Sequence, residues 1–408
     1  MRGDLLKGQL MTNSQTSHNY ILLTLSLSLF CAMLGVGVIS PILPIYASKL
    51  GASGIVLGFV FGTFSFARTG GMLISGELAE RFDRKLLLGA GLLVYSLASL
   101  AYVRADNTVA LVAIRFFHGL GSAFVIPIAM AIGADIAEEG NEGRLFGTLQ
   151  GAHFLGVGFG PLISGILTDR WGWQLPFYFM TVLTSLALFM VIRKLPHRIP
   201  TRAQATGQTM FPAIKGMLRN WALRICFYYQ FCFAMCRGTI LMLIPLLAQG
   251  YSLSFSQIGI ILSLNSIATG ALQRFFGPLS DTIERHRLIV FGGILSGVVF
   301  LVIPYFRSFL GLTVASIIFG VGHALSSPSL AAITAENSAE FGSGRTMSIF
   351  NIFFSLGMMT GPILDGFVVE SGLKVSPFHI LSFMIFSATI PFLFFPKKTA
   401  SGKESAVN

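Results

Sequence analysis

Two arginines lie near the middle of long apolar runs, Arg68 within residues 54–76 and Arg237 within residues 222–249. If these runs cross a bilayer as helices, a rise of about 1.5 Å per residue places both side chains near its midplane. A charge at that depth is costly and normally faces an aqueous cavity or a charged partner. Two guanidinium groups on one cavity would attract an anionic or carboxylate-bearing molecule. The pattern therefore predicts a substrate site with Arg68 and Arg237; a purely structural ion pair is the alternative.

Polar side chains recur at helical spacing within two later apolar runs. Asn265 and Thr269 lie four residues apart in one run, and Asn351 and Ser355 lie four residues apart in another. Residues at this spacing share one face of a helix. We interpret both stripes as the lining of a substrate cavity, and hydrogen bonding between packed helices is the alternative.

Ionisable groups that could move a proton are few. Asp365 is the one acid well inside an apolar run. It could be a protonatable coupling site, a carboxylate near the membrane interface, or the partner of an arginine. His118 follows Arg115 three residues later, on the same helix face. His153 and His323 each stand among small residues, and we interpret both as hydrogen-bonded packing residues.

The apolar runs that carry these residues indicate an integral membrane protein. The chain has 408 residues, of which 53% are hydrophobic and 11% are charged, with a mean hydropathy of +0.74. A soluble protein has about a quarter of its residues charged, and a run of about 20 apolar residues crosses a bilayer as a helix. Gly, Pro and charge clusters divide the chain into twelve such segments: 20–46, 54–76, 86–103, 108–136, 145–168, 175–192, 222–249, 255–277, 288–306, 311–336, 346–369 and 375–395.

The polar stretches between the segments predict the domain organisation and the orientation. With both termini in the cytoplasm, 19 Lys and Arg lie on the cytoplasmic side, five lie outside and four lie within segments. The positive-inside rule favours this orientation, and it explains the net charge of +11 without a nucleic-acid partner. The predicted parts are a cytoplasmic tail (1–19), a six-helix bundle (20–192), a cytoplasmic loop (193–220), a second six-helix bundle (221–395) and a cytoplasmic tail (396–408).

An offset of 201 residues aligns the two halves of the sequence. The matched small residues are Gly76 with Gly277, Gly119 with Gly320, Gly156 with Gly357, Gly160 with Gly361, Pro161 with Pro362, and Gly165 with Gly366. The matched charged residues are Glu80 with Asp281, Arg84 with Arg285, Asp135 with Glu336, and Arg144 with Arg345. An ordered series of this kind indicates duplication. The predicted fold is all-α, with twelve transmembrane helices in two pseudo-symmetric six-helix bundles and a substrate site between them.

The duplicated charges stand where they oppose the helix dipole. Asp135 and Glu336 end predicted helices, whereas Arg144 and Arg345 begin them, and all four positions are unfavourable within their own helices. We interpret them as parts of an ion-pair network that changes between two states. The predicted gating network comprises Gly76, Glu80, Arg81, Arg84, Asp135, Arg144, Gly277, Asp281, Arg285, Glu336 and Arg345. The alternative is that the basic residues serve only as topology signals.

The stretches GELAERFDRK (76–85) and GPLSDTIERHR (277–287) resemble the loop signature of the major facilitator superfamily. Glu80 and Asp83 depart from the signature in the first copy, and Thr282 and Glu284 depart from it in the second. Arg115 with the following glycines is similar to a second signature of the family. The resemblance implies the major facilitator fold and a role in proton coupling for Arg115, with His118 beside it. Outward extension of Arg115 to the membrane surface is the alternative.

The fifth segment is similar to the antiporter signature of the drug–proton exchange branch of that family. Ser164 stands where the signature has a glycine, and the matching residues are Gly147, Gly156, Gly160, Pro161 and Gly165. In lipid, small residues allow helices to approach closely, so helix packing alone is the other interpretation of this segment.

The sequence as a whole predicts a secondary transporter that works by alternating access. We favour proton-coupled efflux of amphipathic compounds; the alternative is transport of an organic anion or zwitterion, such as a metabolite or siderophore. No nucleotide-binding loop or hydrolase motif occurs, so neither ATP drive nor enzyme activity is expected. We expect a monomer in the cytoplasmic membrane, with a small-molecule substrate and the proton as partners and no cofactor.

We interpret the four cysteines as packing residues rather than metal ligands: Cys31, Cys226, Cys232 and Cys236.

Overall fold

The computed structural model describes residues 2–136, 142–196 and 210–395, and within these ranges the chain is helical without strands. The helices of the first half are α1 (Arg2–Ile39), α2 (Leu43–Lys49), α3 (Gly54–Arg81), α4 (Arg84–Val103), α5 (Thr108–Ile136), α6 (Glu142–Trp171) and α7 (Leu175–Lys194). Those that follow are α8 (Met210–Arg219), α9 (Trp221–Gly250), α10 (Phe255–Thr282), α11 (Arg285–Val302), α12 (Phe309–Glu336), α13 (Ser343–Glu370) and α14 (Pro377–Leu393).

Eleven of the described helices are long and apolar enough to cross a membrane, and α14 is a shorter apolar helix of 17 residues. The twelve predicted segments correspond to α1, α3 to α7 and α9 to α14. In the absence of water, a helix satisfies its backbone hydrogen bonds within the segment, which is why a membrane chain of this composition is helical. The predicted all-α membrane fold is confirmed.

The predicted first segment, 20–46, is two helices rather than one. Ser40 to Ile42 form a turn between α1 and α2. Pro41 lacks an N–H group, and its ring would clash with a carbonyl of the preceding turn if the helix continued. Pro44 in the first turn of α2 is compatible with a helix start.

The charged stretch 76–85 is mostly helical rather than a loop. α3 continues to Arg81, whose Nη2 lies 2.6 Å from Oε1 of Glu77, one turn earlier. Such pairs support a helix. Asp83 then caps α4 by accepting a hydrogen bond of 2.9 Å from the N–H of Lys85. The predicted central loop contains α8, while residues 197–209 and the predicted tail 396–408 lie outside the described residues.

Each half forms one bundle, and the largest contacts between the bundles are made by two pairs of helices. Within the bundles, α1 packs on α6 and α3 packs on α5, while α9 packs on α13 and α10 packs on α12. Between the bundles, α3 packs on α13 and α6 packs on α10. The 201-residue offset maps one inter-bundle pair onto the other, so the duplication in the sequence is a pseudo-symmetry of the fold.

Glycine allows the backbones of the two bundles to touch at one end of the molecule. A methyl group on Gly54 would lie 2.6 Å from the carbonyl oxygen of Gly366, and one on Gly58 would lie 2.6 Å from that of Pro362. By the same offset, Gly259 faces the carbonyl of Pro161. We call this end, where α3 and α10 begin and α6 and α13 end, the packed end.

Toward the other end, which we call the open end, the same helices lose this contact. A methyl group on a glycine there would meet nothing within 4 Å, as found for Gly70, Gly76, Gly147, Gly151 and Gly277. At the described glycines, close backbone contact between the bundles is therefore found toward the packed end and not at these five positions.

Replacing Gly58 by Ala should part the bundles at the packed end, because the added methyl group meets the backbone of α13. The measurement is the distance between spin labels at Lys49→Cys and Arg307→Cys, two exposed packed-end positions on opposite bundles, after replacement of the native cysteines. We expect a longer distance than in the parent. Gly76→Ala, in the open part of the same helix, gains the same helix propensity and should leave the distance unchanged. An unchanged distance in Gly58→Ala would contradict the crossing described above.

Candidate substrate and proton sites

Four ionisable side chains from four helices converge near the centre of the molecule. Arg68 of α3 and Arg237 of α9 both lie within electrostatic range of His153 of α6. Arg237 is also within range of His323 of α12. Each residue lies near the middle of its helix. We call these four residues the central basic cluster; two come from each bundle, so the cluster spans the interface between them.

The central basic cluster is only partly buried, and several of its polar atoms are not used within the protein. All four side chains have intermediate exposure. Among the described residues, Nε of Arg68 and Nδ1 of His153 and of His323 have no hydrogen-bond partner. A partly exposed cation at mid-bilayer depth faces water or a ligand rather than lipid. The interpretation of His153 and His323 as packing residues missed this arrangement.

Aromatic rings form one wall beside the central basic cluster. The His323 ring stacks on Phe233, with centroids 4.1 Å apart and planes 15° apart. Phe233 in turn stacks on Phe319 at 5.0 Å. The site thus combines cationic groups with flat apolar surface, which suits a molecule with both an aromatic body and a polar group.

The predicted polar stripes include residues that make hydrogen bonds within the protein. Nδ2 of Asn265 donates to the carbonyl of Ser316 at 2.7 Å, and Oγ1 of Thr269 contacts the carbonyl of Gly320 at 3.3 Å. Both side chains are buried between α10 and α12, which is the helix-packing alternative. Asn351 is exposed and donates to the carbonyl one turn earlier, while Ser355 is buried. For Asn265 and Thr269 the described hydrogen bonds therefore support helix packing, and a role of the four residues in substrate binding stays a prediction.

Arg115 and His118 are buried inside the N-terminal bundle. Nε of Arg115 donates to the carbonyl of Val60 at 3.0 Å, and the guanidinium group lies 4.3 Å from the centre of the Phe64 ring. Arg115 is only 7% exposed, so it does not extend to the membrane surface. Nδ1 of His118 lies 3.3 Å from the hydroxyl of Tyr102.

Tyr95 connects this buried pair with the central basic cluster. Its ring meets the His118 ring edge to face at 4.5 Å, and its hydroxyl lies within electrostatic range of Arg68. Tyr95 therefore lies between Arg68, which is within electrostatic range, and His118, which it meets through its ring.

Asp365 is fully buried in the C-terminal bundle. Its Oδ2 accepts a hydrogen bond of 2.6 Å from Oγ1 of Thr239, and its Oδ1 has no partner among the described residues. It is 0% exposed to solvent. Asp365 directly precedes Gly366, which touches Gly54 at the packed end. A change at this carboxyl group is thus one residue away from the contact between the bundles.

Two duplicated ion pairs occupy the open end. Arg84 pairs with Asp135 and also donates to the carbonyl of Ala131 at 3.1 Å. By the 201-residue offset, Arg285 pairs with Glu336 at 2.6 Å. Each of these pairs joins elements of one bundle, so the pairs themselves do not bridge the two.

Other members of the predicted gating network are more dispersed. Arg81 pairs with Glu77 on the surface of α3, and Arg345 lies in the first turn of α13. Gly76 and Gly277 face open space. The side chains of Glu80, Arg144 and Asp281 lie outside the described residues.

The glycine segment of α6 packs against two neighbouring helices, α1 and α10. Methyl groups on Gly156 and Gly160 would lie 2.7 Å and 2.6 Å from carbonyl oxygens of α1, in the same bundle. Pro161 and Gly165 instead contact the backbone of α10 in the other bundle, whereas Gly147 meets neither. This segment therefore connects α1 with the inter-bundle crossing.

Comparison with known proteins places these features in context. A model of the Major Facilitator Superfamily matches residues 25–252 and 226–407. The uncharacterized MFS-type transporter MJ1560 of Methanocaldococcus jannaschii is 30% identical over 84% of this chain and 89% of its own length. Multidrug resistance protein 1 of Bacillus subtilis is 25% identical, covering 86% of this chain and 90% of that protein. A bacterial homologue of the human lysosomal transporter Spinster has a similar structure, with a TM-score of 0.78, 14% identity, and coverage of 92% and 96%.

Replacing Asp135 by Ala should destabilise the protein far more than replacing Glu77 by Ala. The carboxylate of Asp135 is 5% exposed, whereas that of Glu77 is 63% exposed. Breaking a buried pair costs about 3–5 kcal/mol, and an exposed pair contributes at most about 1 kcal/mol. Thermal unfolding can be followed with a thiol-reactive dye, because all four cysteines are free and buried. Equal melting temperatures for the two variants would show that the Arg84 pair does not hold the bundle together.

Proposed function

Because the chain belongs to the major facilitator superfamily, we propose that it is a secondary transporter that exports amphipathic small molecules in exchange for protons. The relatives named as multidrug resistance proteins support export of amphipathic compounds. The observation that carries the proposal is the central basic cluster and its aromatic wall, which lie between two bundles whose close backbone contact at the described glycines lies toward one end.

Alternating access follows from that arrangement. A site between two bundles is exposed to one side of the membrane while the bundles touch at the other end, and rocking of the bundles exchanges the exposed side. The pseudo-symmetry supplies a second inter-bundle pair of helices with the same geometry. With both termini in the cytoplasm, as the charge distribution favours, the open end faces the cytoplasm and the state described takes up its substrate from inside the cell.

The duplicated ion pairs and the α6 glycine segment have roles in this motion. Arg84 with Asp135 and Arg285 with Glu336 hold the helix ends of each bundle at the cytoplasmic mouth. The glycines of α6 allow the crossing with α10 to slide, and they limit leakage by packing closely.

The proton site of the proposal is Asp365. An ionised carboxylate away from water is costly unless it is paired, and the described partner of Asp365 is the neutral hydroxyl of Thr239. Protonation removes that cost, so the fit of α13 against α9 and α3 depends on the proton. In the other bundle, Arg115 and His118, next to Tyr95, are a second candidate pair for proton coupling.

Asp365→Asn should abolish proton-driven transport while leaving exchange of substrate intact. The amide can still accept the Thr239 hydrogen bond, but it cannot release a proton. Proteoliposomes with an imposed pH gradient and a fluorescent amphipathic probe such as ethidium measure both activities. We expect gradient-driven flux to fall to the level seen without a gradient.

The matched control is Asp106→Asn, which removes an exposed carboxylate between α4 and α5. Its flux should equal that of the parent. If Asp365→Asn still concentrates the probe against its gradient, Asp365 is not the coupling site. If the parent shows no proton dependence at all, the antiport proposal fails.

A second candidate function is transport of an organic anion or zwitterion. The specific observation is that Arg68 and Arg237, from opposite bundles, both act on His153 and so share one site. Two guanidinium groups flanking an aromatic wall can hold a carboxylate by charge-assisted hydrogen bonds. This candidate differs from the first in the charge of the substrate and leaves the mechanism of alternating access unchanged.

Arg68→Ala and Arg237→Ala should weaken binding of an aromatic carboxylate much more than binding of its amide. A hydrogen bond to a charged group contributes about 1.5–3 kcal/mol, so we expect a loss of about tenfold or more for naphthoate. Naphthamide, which has the same ring and no charge, should bind each variant as it binds the parent. Arg274→Ala, an exposed arginine of α10, is the control. Equal losses for both compounds would remove the support for an anion site.

A further inference from the structure

Two acidic residues at the packed end each reach into the opposite bundle. Asp169, in the last turn of α6, accepts hydrogen bonds from the backbone N–H groups of Phe255 at 3.0 Å and Ser256 at 2.7 Å, the first two residues of α10. Glu370, the last residue of α13, accepts from the N–H of Ile55 at 2.9 Å, in the first turn of α3. The 201-residue offset maps Asp169 onto Glu370 and Ile55 onto Ser256, so the contact is duplicated.

These contacts satisfy backbone groups that the helices cannot satisfy themselves. The first N–H groups of a helix have no partner within it. In α10 the hydroxyl of Ser254 accepts from the N–H of Gln257, the third residue. This cap does not satisfy the N–H groups of the first two residues, and Asp169 accepts a hydrogen bond from each of them. The serine cap lies in the same bundle as its helix, whereas the acid comes from the other bundle.

The charge of each acid is unfavourable in its own helix and favourable across the interface. Asp169 and Glu370 lie at the C-terminal ends of α6 and α13, where the dipole of the helix disfavours a negative charge. Each faces the N-terminal end of a helix in the opposite bundle, where the dipole favours it. The favourable contact exists only while the packed end is closed.

From this geometry we propose that Asp169 and Glu370 are a pair of closure residues that hold the packed end shut and release it in each transport cycle. The inference rests on the alternating-access part of the proposed function and on neither the substrate nor the coupling ion. It gives both acids a positioning role at the end of the molecule away from the charged stretches 76–85 and 277–287.

The strength of the contacts fits a reversible closure. All three hydrogen bonds are exposed to solvent, so water can replace each partner when the bundles separate. Beside the acids, Gly165 faces the backbone of Phe255 and Gly366 faces that of Gly54. The close approach of the two backbones brings each acid within hydrogen-bonding distance of the helix start. The stabilisation that the acid adds disappears when the two backbones separate.

The test is the balance between the two states in Asp169→Asn, Glu370→Gln and the double variant. Spin labels at Lys49→Cys and Arg307→Cys report on the packed end, and a second pair at Phe82→Cys and Ile283→Cys reports on the open end. All four positions are exposed. We expect the population with a separated packed end to rise by about two- to fivefold for each exposed charge-assisted hydrogen bond weakened. Asp169, with two such bonds, should have the larger effect, and the open-end distance should shorten in step.

Ser308→Ala provides the matched control, because it removes the serine cap of α12 at the same end of the molecule, on a helix start that neither Asp169 nor Glu370 caps. It should lower the melting temperature and leave the balance of states unchanged. If neutral variants that remain folded keep the parent's distances, or if Ser308→Ala shifts them equally, the closure role is refuted. Should Asp169→Asn fail to fold, Glu370→Gln at the duplicated position decides the question. The distances need neither substrate nor a pH gradient, so this result stands apart from the tests of export and coupling.

Discussion

The close crossing of backbones at the packed end is the constraint on which the rest of the structure depends. Gly54, Gly58 and Gly259 carry no side chain, so α3 and α10 can lie directly against the backbones of α13 and α6. In lipid the hydrophobic effect does not drive helices together, and close packing with polar contacts takes its place. The close fit of backbones at these glycines thus joins the two bundles at one end, and the central basic cluster draws its residues from both.

The central basic cluster and the backbone crossing at the packed end share helices α3 and α6. Arg68 lies on α3, His153 on α6 and Arg237 on α9, so a molecule bound among them touches both bundles. Its binding energy can therefore favour one arrangement of the bundles over another, which is the requirement for a ligand to shift a conformational equilibrium. Asp365, the proposed proton site, lies inside the C-terminal bundle, where it directly precedes Gly366 of the crossing.

The sequence was sufficient for the fold, because apolar runs, charge asymmetry and the 201-residue offset each report on the whole chain. It also placed Arg84 and Asp135 in one predicted ion-pair network, because duplicated charges that oppose the helix dipole need partners, but it did not say which of the nearby arginines pairs with Asp135. It did not reveal which face of each helix is turned inward. Asn265 and Thr269 share a face, but that face packs on α12, and a helical period says nothing about the neighbour. Pro41 shows the same limit locally, since an apolar run can hide a break between two helices.

Departures from the internal repeat are informative about the centre. The 201-residue offset places Thr269 opposite Arg68, Val36 opposite Arg237, Phe354 opposite His153 and Ser122 opposite His323. At the two ends of the molecule, unlike at the centre, the repeat is kept. The ion pairs, the crossing glycines and prolines, and the closure acids all occur in both halves. The offset relates the two halves within each end, so a motion of the halves against each other, as proposed, needs matching contacts from both of them. A substrate is not two-fold symmetric, so the residues that bind it need not be equal in the two halves. The ionisable mid-helix positions that break the repeat are therefore the signal in the sequence that singles out His153 and His323 beside the two arginines.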